Sequence, residues 1–287
     1  MKFGFIGAGK VGTALGIYFQ KKGYEIIGYY SRTLDSAKWA AKLTNSKSFK
    51  IIDDLVKEVD FLFVTTNDDQ IEFIDKKLAC CKSLNQNHIV AHASGVYGSD
   101  ILKEVKKVGC SLYSIHPLQS FSEPCITVEK LDITVFTLEG DDNKMNIIKA
   151  MLDKTNNNYF IIDKEFKPLY HAGACIISNY LVTLLNIGFN FFEKAGIDRD
   201  KIFNAMEPLI YGTLDNIKNS NTIEALTGPI VRGDEKTILY HLENIQKNIP
   251  EELEFYKNIG LKTIEMIEGN RMDSIKAEKI KKILEGD

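Results

Sequence analysis

Residues 1–22, Met-Lys-Phe-Gly-Phe-Ile-Gly-Ala-Gly-Lys-Val-Gly-Thr-Ala-Leu-Gly-Ile-Tyr-Phe-Gln-Lys-Lys, decide the fold. The apolar run before the first glycines predicts a buried strand, and the amphipathic pattern after them predicts a helix. Between the two stands the glycine pattern G-x-G-x-x-G. In a strand–turn–helix context this pattern predicts a turn that binds a dinucleotide, whose phosphates face the free N–H groups of the helix. We expect cofactor contacts from Gly7, Gly9, Lys10, Val11 and Gly12.

Short apolar runs continue to alternate with longer amphipathic stretches as far as about residue 163. Such runs, separated by helical patterns, predict βαβ units and a mostly parallel, doubly wound α/β sheet with helices on both faces. The spacers are too long for antiparallel hairpins. The predicted strands are Lys2–Ile6, Tyr24–Tyr30, Asp60–Thr66, His88–Ala93, Ser111–His116, Ile133–Glu139 and Tyr159–Asp163.

The remaining residues lack strand-like alternation and predict only helices. We therefore predict two domains, a Rossmann domain over residues 1–163 and an all-helical domain over residues 164–287. The predicted helices span about 166–195, 198–219, 233–246 and 250–268, and a charged helix begins near 272.

Composition excludes several classes of function. A net charge of −3 and a pI near 6.0 give the protein no excess of positive charge with which to bind nucleic acid. Five cysteines without a C-x-x-C pair argue against a disulfide framework and against a metal site, and they favour a reducing compartment. The sequence shows no signal peptide and no run of about 18 apolar residues. We expect a cytoplasmic protein that acts on a small molecule away from membranes.

The end of the second predicted strand bears on the choice of cofactor. NAD-binding proteins place a carboxylate there for the ribose 2′-hydroxyl. This chain has Ser31, Arg32 and Thr33 instead, with no carboxylate before Asp35. An arginine beside two hydroxyls suits a 2′-phosphate, so we predict NADP(H). Two alternatives stay open: the cofactor is NAD(H), or Arg32 is an ordinary solvated side chain.

Other polar residues follow strands whose carboxyl ends meet at one sheet edge, where open α/β sheets bind their ligands. Thr65, Thr66 and Asn67 are candidates for the cofactor ribose. His92-Ala93-Ser94-Gly95 and His116-Pro117 end two further strands. Ser94 and His116 could serve a carbonyl or carboxylate substrate, or could simply belong to the turns. For His92, a buried strand histidine is at least as good an interpretation.

The helical region adds a second set of candidates. Helical spacing places four polar residues on one face: His171, Cys175, Ser178 and, more loosely, Asn179. This face either lines a cleft, or its polar residues are structural. Further on, Arg232 lies in an unusual loop between helices, Leu226–Asp234. It could hold a substrate carboxylate or pair with Asp234.

Together these motifs resemble a family that joins a Rossmann-like domain to an all-helical C-terminal domain called DUF2520. The family is distantly related to pyrroline-5-carboxylate reductase and to the 6-phosphogluconate dehydrogenase superfamily. The resemblance covers essentially the whole chain and implies an NADP-type cofactor, a cleft between domains and a homodimer through the helical domain. It is carried by Gly7–Gly12, His92–Gly95, His116–Phe121, Tyr170–Tyr180 and Leu226–Asp234.

Some members of that group resemble an alternative ketopantoate reductase of pantothenate biosynthesis. Related hydroxyacid dehydrogenases carry a catalytic lysine four residues before an asparagine on this helix. Asn179 matches the asparagine, but Cys175 occupies the lysine position. The usual proton donor is therefore missing, and His171 is our replacement candidate, with Lys167 second.

The resulting hypothesis is an NADPH-dependent reductase (an oxidoreductase) of a small 2-oxo acid, with ketopantoate as the best single guess. His171 or His116 would protonate the developing alkoxide, since an imidazole ordinarily titrates near neutral pH. Asn179 and Ser94 would orient the alkoxide, and Arg232 would hold the carboxylate. The alternatives are an imine reductase of the pyrroline-5-carboxylate reductase type and a non-catalytic NADP(H)-binding sensor.

Overall fold

The computed structural model describes residues 1–286, in which eight strands form one sheet in the order β3-β2-β1-β4-β5-β6-β7-β8. Neighbouring strands run parallel except for β6 and β7. The predicted mostly parallel sheet is confirmed, whereas β3, with only three residues and no apolar run, was not predicted. The strands are β1 (Lys2–Ile6), β2 (Glu25–Tyr30), β3 (Lys47–Phe49), β4 (Phe61–Val64), β5 (Ile89–His92), β6 (Ser111–Pro117), β7 (Phe136–Gly140) and β8 (Tyr159–Ile161).

Burial on both faces explains why the strands have continuous apolar sequences. In β4, Phe61 and Phe63 enter a core cluster on one side of the sheet, whereas Leu62 and Val64 enter a second cluster. Side chains alternate between the faces of a strand, so a strand covered on both sides needs an apolar residue at every position.

The contacts of the chain divide it into two compact units, residues 1–179 and the part from Tyr180 onward. The first unit therefore continues past residue 163 and includes the next helix. The helices that belong to it are α1 (Lys10–Lys21), α2 (Leu34–Leu43), α3 (Ile52–Val56), α4 (Ile71–Ala79), α5 (Lys103–Val108), α6 (Pro124–Lys130), α7 (Met145–Thr155) and α8 (Lys167–Ile177).

The second unit is helical, as predicted. Its buried core is made by Ile238, Ile264, Ile267, Met272, Ala277, Ile280 and Leu284. The predicted loop 226–234 contains a short helix, α12. The helices are α9 (Asn179–Lys194), α10 (Arg199–Asn219), α11 (Thr222–Ala225), α12 (Pro229–Arg232), α13 (Glu235–Asn248), α14 (Leu253–Ile267) and α15 (Ser274–Glu285).

The single helix predicted over 166–195 is wrong in one respect, because it is interrupted at Ser178. Ser178 is a turn residue between two helices, and its φ of −114° and ψ of −68° depart from regular helical values although its N–H still bonds to Ala174 O. The spacing that relates His171 to Asn179 therefore does not run along one regular helix.

The same stretch corrects the expectation about apolar runs. Lys164–Lys194, with a mean hydropathy of 1.5, is long and apolar enough to cross a membrane, and none of its apolar window is buried. The expectation overlooked it because uncharged polar residues interrupt the apolar ones. One such segment is weak evidence for membrane insertion, since helices of soluble proteins pass the same test.

The glycine turn after β1 depends on close approach between backbones. Gly7 has φ +112°, and a methyl group on it would lie 2.7 Å from the carbonyl carbon of Thr65. A methyl group on Gly12 would collide with Thr65 Oγ1 and with the Gly7 carbonyl oxygen, whereas one on Gly9 would meet nothing within 4 Å. Gly12 thus packs α1 against the turn, and Gly9 leaves open space in front of it.

Replacing Gly12 with alanine should destabilise the protein by about 1–3 kcal/mol, because the helix must move away from Thr65. Thermal unfolding checks this, with Gly9→Ala as the matched control, which should leave the melting temperature nearly unchanged. Equal melting temperatures for the two variants would contradict the packing role of Gly12.

Candidate functional site

The carboxyl ends of the central parallel strands bring the predicted site segments to one edge of the sheet. Backbone hydrogen bonds continue beyond the strands, from Thr65 N to Ile6 O (2.8 Å) and from Ala93 N to Val64 O (3.1 Å). The glycine turn, the segment after β4 and the segment after β5 are therefore neighbours. Ligands bind at this edge in open α/β sheets.

A cavity of about 620 Å³ lies at this edge, beside the glycine turn. Its volume is in the range of cofactor sites. Most of the predicted cofactor residues line it, namely Gly7, Gly9, Ser31, Arg32, Thr33, Thr65, Thr66 and Asn67. Lys10, Val11 and Gly12 are not among its lining residues; they form the first turn of α1.

Arg32 lines this cavity together with three hydroxyl-bearing residues. The side chain is exposed, and within residues 1–286 it forms no ion pair. Ser31 and Ser36 also line the cavity, and Thr33 Oγ1 lies 2.7 Å from Ser36 Oγ. A guanidinium group with several hydroxyls around it is a suitable environment for a phosphate.

Helix α4 and Gln70, which directly precedes it, supply cavity residues that sequence reasoning missed. Gln70, Phe73, Ile74 and Lys77 all line the cavity, and the amine of Lys77 donates a hydrogen bond to the Tyr30 hydroxyl. Lys77 Nζ also lies 4.7 Å from the centre of the Tyr30 ring. Their spacing of three or four residues places Gln70, Phe73, Ile74 and Lys77 on one helical face, and this was the signal available in the sequence.

Three features indicate that a dinucleotide would fit here. Thr66 Oγ1 is buried and, among the described residues, has no hydrogen-bond partner. Gly9 leaves space for a group in front of its Cα atom. No side chain caps the N-terminus of the 12-residue helix α1, so its first N–H groups are available to an anion.

The loop after β5 is fixed by His92, which is fully buried. His92 Nδ1 accepts a hydrogen bond from Ser94 N (3.2 Å), and its Nε2 contacts Gly98 O (3.0 Å). Burial, aided by the charge of Lys167 and opposed by the hydrogen bond to Gly98, lowers the pKa of His92 to about 4. His92 is therefore a neutral structural residue that shapes the loop.

A hydrogen-bond chain determines which nitrogen of His116 carries the proton. Thr137 Oγ1 donates to the Tyr170 hydroxyl (2.7 Å), and this hydroxyl lies 2.8 Å from His116 Nδ1. If the Tyr170 hydroxyl accepts from Thr137, it donates to Nδ1, and the ring proton is then on Nε2. His116 accordingly presents an N–H donor on the side away from Tyr170.

Gly95 lies directly below two imidazole rings. A methyl group on Gly95 would be 2.9 Å from His116 Nε2 and 2.6 Å from His171 Cδ2. The two rings are T-shaped, with centroids 6.2 Å apart. Two of the predicted catalytic residues, from β6 and α8, are thus brought together over the loop that follows β5.

The surroundings of this histidine pair are rich in cationic groups. Burial and, to a smaller extent, the charges of Lys167, His171 and His92 together lower the pKa of His116 to about 3. Burial also lowers the pKa of Lys167 to about 8, against the opposing charges of Glu139 and Asp68. The Glu139 carboxylate already accepts hydrogen bonds from Ser99 N (2.5 Å) and Ser99 Oγ (2.9 Å). The site therefore favours an anion over a cation.

The other predicted residues have varied placements. Ser94 is buried, and its Oγ accepts hydrogen bonds from the backbone of Val96 (3.3 Å) and Tyr97 (3.2 Å), which is turn chemistry. Cys175 Sγ lies 3.8 Å from His171 Nδ1. Asn179 is exposed, and Arg232 lies at the end of α12 in the second unit.

Comparison with known proteins agrees with this architecture. Residues 1–117 match the model of the Rossmann-like domain, and residues 134–263 match the domain of unknown function DUF2520. No curated protein matches the chain. The chain therefore combines the two domains that its motifs predicted.

Solved structures share the fold. Protein TM1727 from Thermotoga maritima is 28% identical, with a TM-score of 0.72 over 94% of this chain and 100% of the other. BF3122 from Bacteroides fragilis, named as a candidate NADP oxidoreductase, is 21% identical, with a TM-score of 0.73 over 92% and 98%. A 1-pyrroline-5-carboxylate reductase from Streptococcus pyogenes is 18% identical, with a TM-score of 0.62 over 80% and 86%.

Replacing Gly95 with alanine should displace both imidazoles, because the methyl group would lie within 3 Å of each ring. The ring NMR signals of His116 and His171 should move, and those of His88 should stay as they are. Gly173→Ala is the matched control, since a methyl group there meets nothing within 4 Å. Unmoved His116 and His171 signals in the Gly95 variant would contradict this geometry.

Proposed function

We propose that this chain, which joins a Rossmann-like domain to a DUF2520 domain, is an NADP(H)-dependent reductase of a small 2-oxo acid. The observation that carries the proposal is the arrangement at one sheet edge. A dinucleotide-sized cavity lies beside the glycine turn after β1, and the loop on which His116 and His171 converge follows β5 at the same edge of the sheet. The structural relatives named as NADP oxidoreductases and reductases support the same class.

The preference for NADP(H) rests on Arg32 and the hydroxyl-bearing residues that line the cavity with it. A 2′-phosphate there would meet a guanidinium group and the hydroxyls of Ser31, Thr33 and Ser36, and Asp35 is not among the lining residues. Charge-assisted bonds from arginine to phosphate are stronger than neutral ones. An imine reductase from Myxococcus stipitatus with a similar fold was solved with NADP⁺.

NADPH, when bound, supplies hydride to the carbonyl carbon of the substrate, which leaves negative charge on the oxygen. His116 donates a hydrogen bond to that oxygen through Nε2. Because His116 is neutral, it does not readily give up its remaining proton, and we assign proton transfer to His171. The alkoxide becomes a hydroxyl group, and His171 recovers its proton from solvent.

The charge of the site favours a 2-oxo acid over an iminium ion. An iminium substrate would bring positive charge next to Lys167, whereas Glu139 is already bound by Ser99. An alkoxide and a carboxylate are both stabilised there. Ketopantoate is the first substrate to test, and a role of Asn179 and Ser94 in orienting the alkoxide stays a prediction.

A cyclic imine that carries a carboxylate is the second candidate. The fold resembles proteins named as pyrroline-5-carboxylate reductases and imine reductases, at 12–18% identity. The carboxylate of such a substrate would balance part of the cationic charge.

We also propose a homodimer through the second unit. Apolar side chains on α9 and α10 are widely exposed, including Val182 (68%) and Leu209 (65%). Exposed apolar patches of this kind mark interaction sites.

Arg32→Ala should weaken NADPH binding roughly 10- to 100-fold, because a charge-assisted phosphate contact is lost, and should leave NADH binding nearly unchanged. Isothermal titration of both nucleotides measures this. Lys38→Ala, an exposed lysine on α2, is the control. A parallel loss of NADH affinity, or no loss for NADPH, would contradict a 2′-phosphate at Arg32.

With NADPH, the protein should reduce ketopantoate or another 2-oxo acid, as followed by absorbance at about 340 nm against a panel that includes cyclic imines. His171→Ala should lower kcat roughly 10²- to 10⁴-fold with NADPH affinity nearly intact. Ala172→Ser, an exposed change on the same helix, is the control. Turnover of imines alone would favour the second candidate, and nucleotide binding without any turnover would favour a sensor.

A further inference from the structure

Lys167, the first residue of α8, is a buried ammonium group with little to neutralise it. Its side chain is 0% exposed, and its Nζ donates to Ser94 O at 3.3 Å. Within residues 1–286, no carboxylate forms an ion pair with it. A buried charge with one weak acceptor is destabilising, so packing alone does not account for a lysine at this position.

Titratable groups from several elements surround this position. Its carboxylate neighbours are Glu139 on β7, held by Ser99, and Asp68 in the turn before α4. Lys167 also shares this region with four other titratable side chains, three imidazoles and a phenol: His92, His116, His171 and Tyr170.

We propose that Lys167 is a positioning residue for this site, whose ammonium group anchors the Ser94–Gly95 peptide under His116 and His171 and adds a positive charge to their surroundings. The inference rests on the proposed reductase function only for its catalytic consequence. The contacts of Lys167 and the groups on which its charge acts all belong to the first unit.

The anchoring part follows from the contacts of the Ser94 carbonyl oxygen. This oxygen accepts hydrogen bonds from Lys167 Nζ (3.3 Å) and from Ser114 Oγ (3.1 Å). The next residue is Gly95, against which the His116 and His171 rings pack. Fixing this peptide therefore fixes the surface that spaces His116 and His171.

The electrostatic part follows from the order in which the groups titrate. Lys167 has a pKa near 8 and His116 a pKa near 3, so between these values the lysine is charged and the imidazole is neutral. A second proton on His116 would place like charges together in a poorly solvated region. It would also reverse the Tyr170 hydrogen bond, because Nδ1 would become a donor.

Direct proton donation to a substrate does not suit Lys167, because its Nζ is buried behind the Ser94 carbonyl. A positioning role also explains why the residue is a lysine and not an apolar side chain of similar length. Residues that serve function at the expense of stability are common at active sites.

The test compares Lys167→Met with Lys164→Met, an exposed lysine paired with Asp100. The NMR titration of the His116 ring in Lys167→Met should show its pKa raised towards the ordinary value of about 6.5. The melting temperature should be unchanged or higher, since a buried charge has been removed. An unshifted His116 together with a lower melting temperature would show that Lys167 is a structural anchor only, and would overturn the proposal.

The wild-type protein provides a second measurement that needs no variant. As the pH rises through about 8, Lys167 loses its proton, and the His116 ring signals should show an inflection there. A featureless His116 signal between about pH 7 and 10 would contradict the electrostatic coupling.

The kinetic consequence is tested separately. In Lys167→Met, kcat should fall roughly 10- to 100-fold, with KM for NADPH unchanged. In the wild-type protein kcat should decrease as the pH rises through about 8, where Lys167 loses its proton, and this decrease should be absent in Lys167→Met. If no substrate turns over with the wild-type protein, the proposed function fails, while the two NMR titrations still decide the role of Lys167.

Discussion

The rest of the structure depends on one constraint. At two glycines on one edge of the parallel sheet, the backbone lies so close to neighbouring groups that a side chain does not fit. At Gly7 the chain turns from β1 into α1 so near to Thr65 that no side chain fits. At Gly95 the loop after β5 passes just as closely under His116 and His171. The first approach opens a cavity for a nucleotide, and the second gathers the groups that can act on a substrate.

The parallel topology explains why these two places are neighbours. Residues 7 and 95 are far apart in sequence, but β1, β4 and β5 lie side by side and end at the same edge. A strand buried on both faces tolerates polar residues mainly at its ends. The predicted cofactor residues and the His116–His171 pair are therefore concentrated along one edge of the sheet.

Sequence patterns predicted the sheet and the glycine turn because both leave a periodic signal: apolar runs of strand length, and glycines in fixed order. They missed β3, which has three residues and no apolar run, and the break at Ser178, where no proline or glycine marks the end of α8. They also missed Phe73 and Lys77 in the cavity. Helical spacing shows that the two residues share a face of α4, but it does not show that this face borders a cavity.

The burial of Lys167 was likewise invisible in sequence, since a lysine at a helix start normally lies in solvent. In the fold it is buried beside Ser94 and influences the protonation of His116. The electrostatic character of the site depends on this tertiary placement: several protonatable groups share a region whose one nearby buried carboxylate, Glu139, is already hydrogen-bonded. Burial and that imbalance together favour a neutral His116 ring and anionic ligands.

The most direct test of this account is a crystal structure of the protein with NADP⁺. The account predicts the 2′-phosphate against Arg32, the pyrophosphate at the N-terminus of α1 and the nicotinamide ring beside the Gly95 loop, on the side of His116 and His171. A nucleotide bound elsewhere, or a nicotinamide directed away from the Gly95 loop, would contradict it.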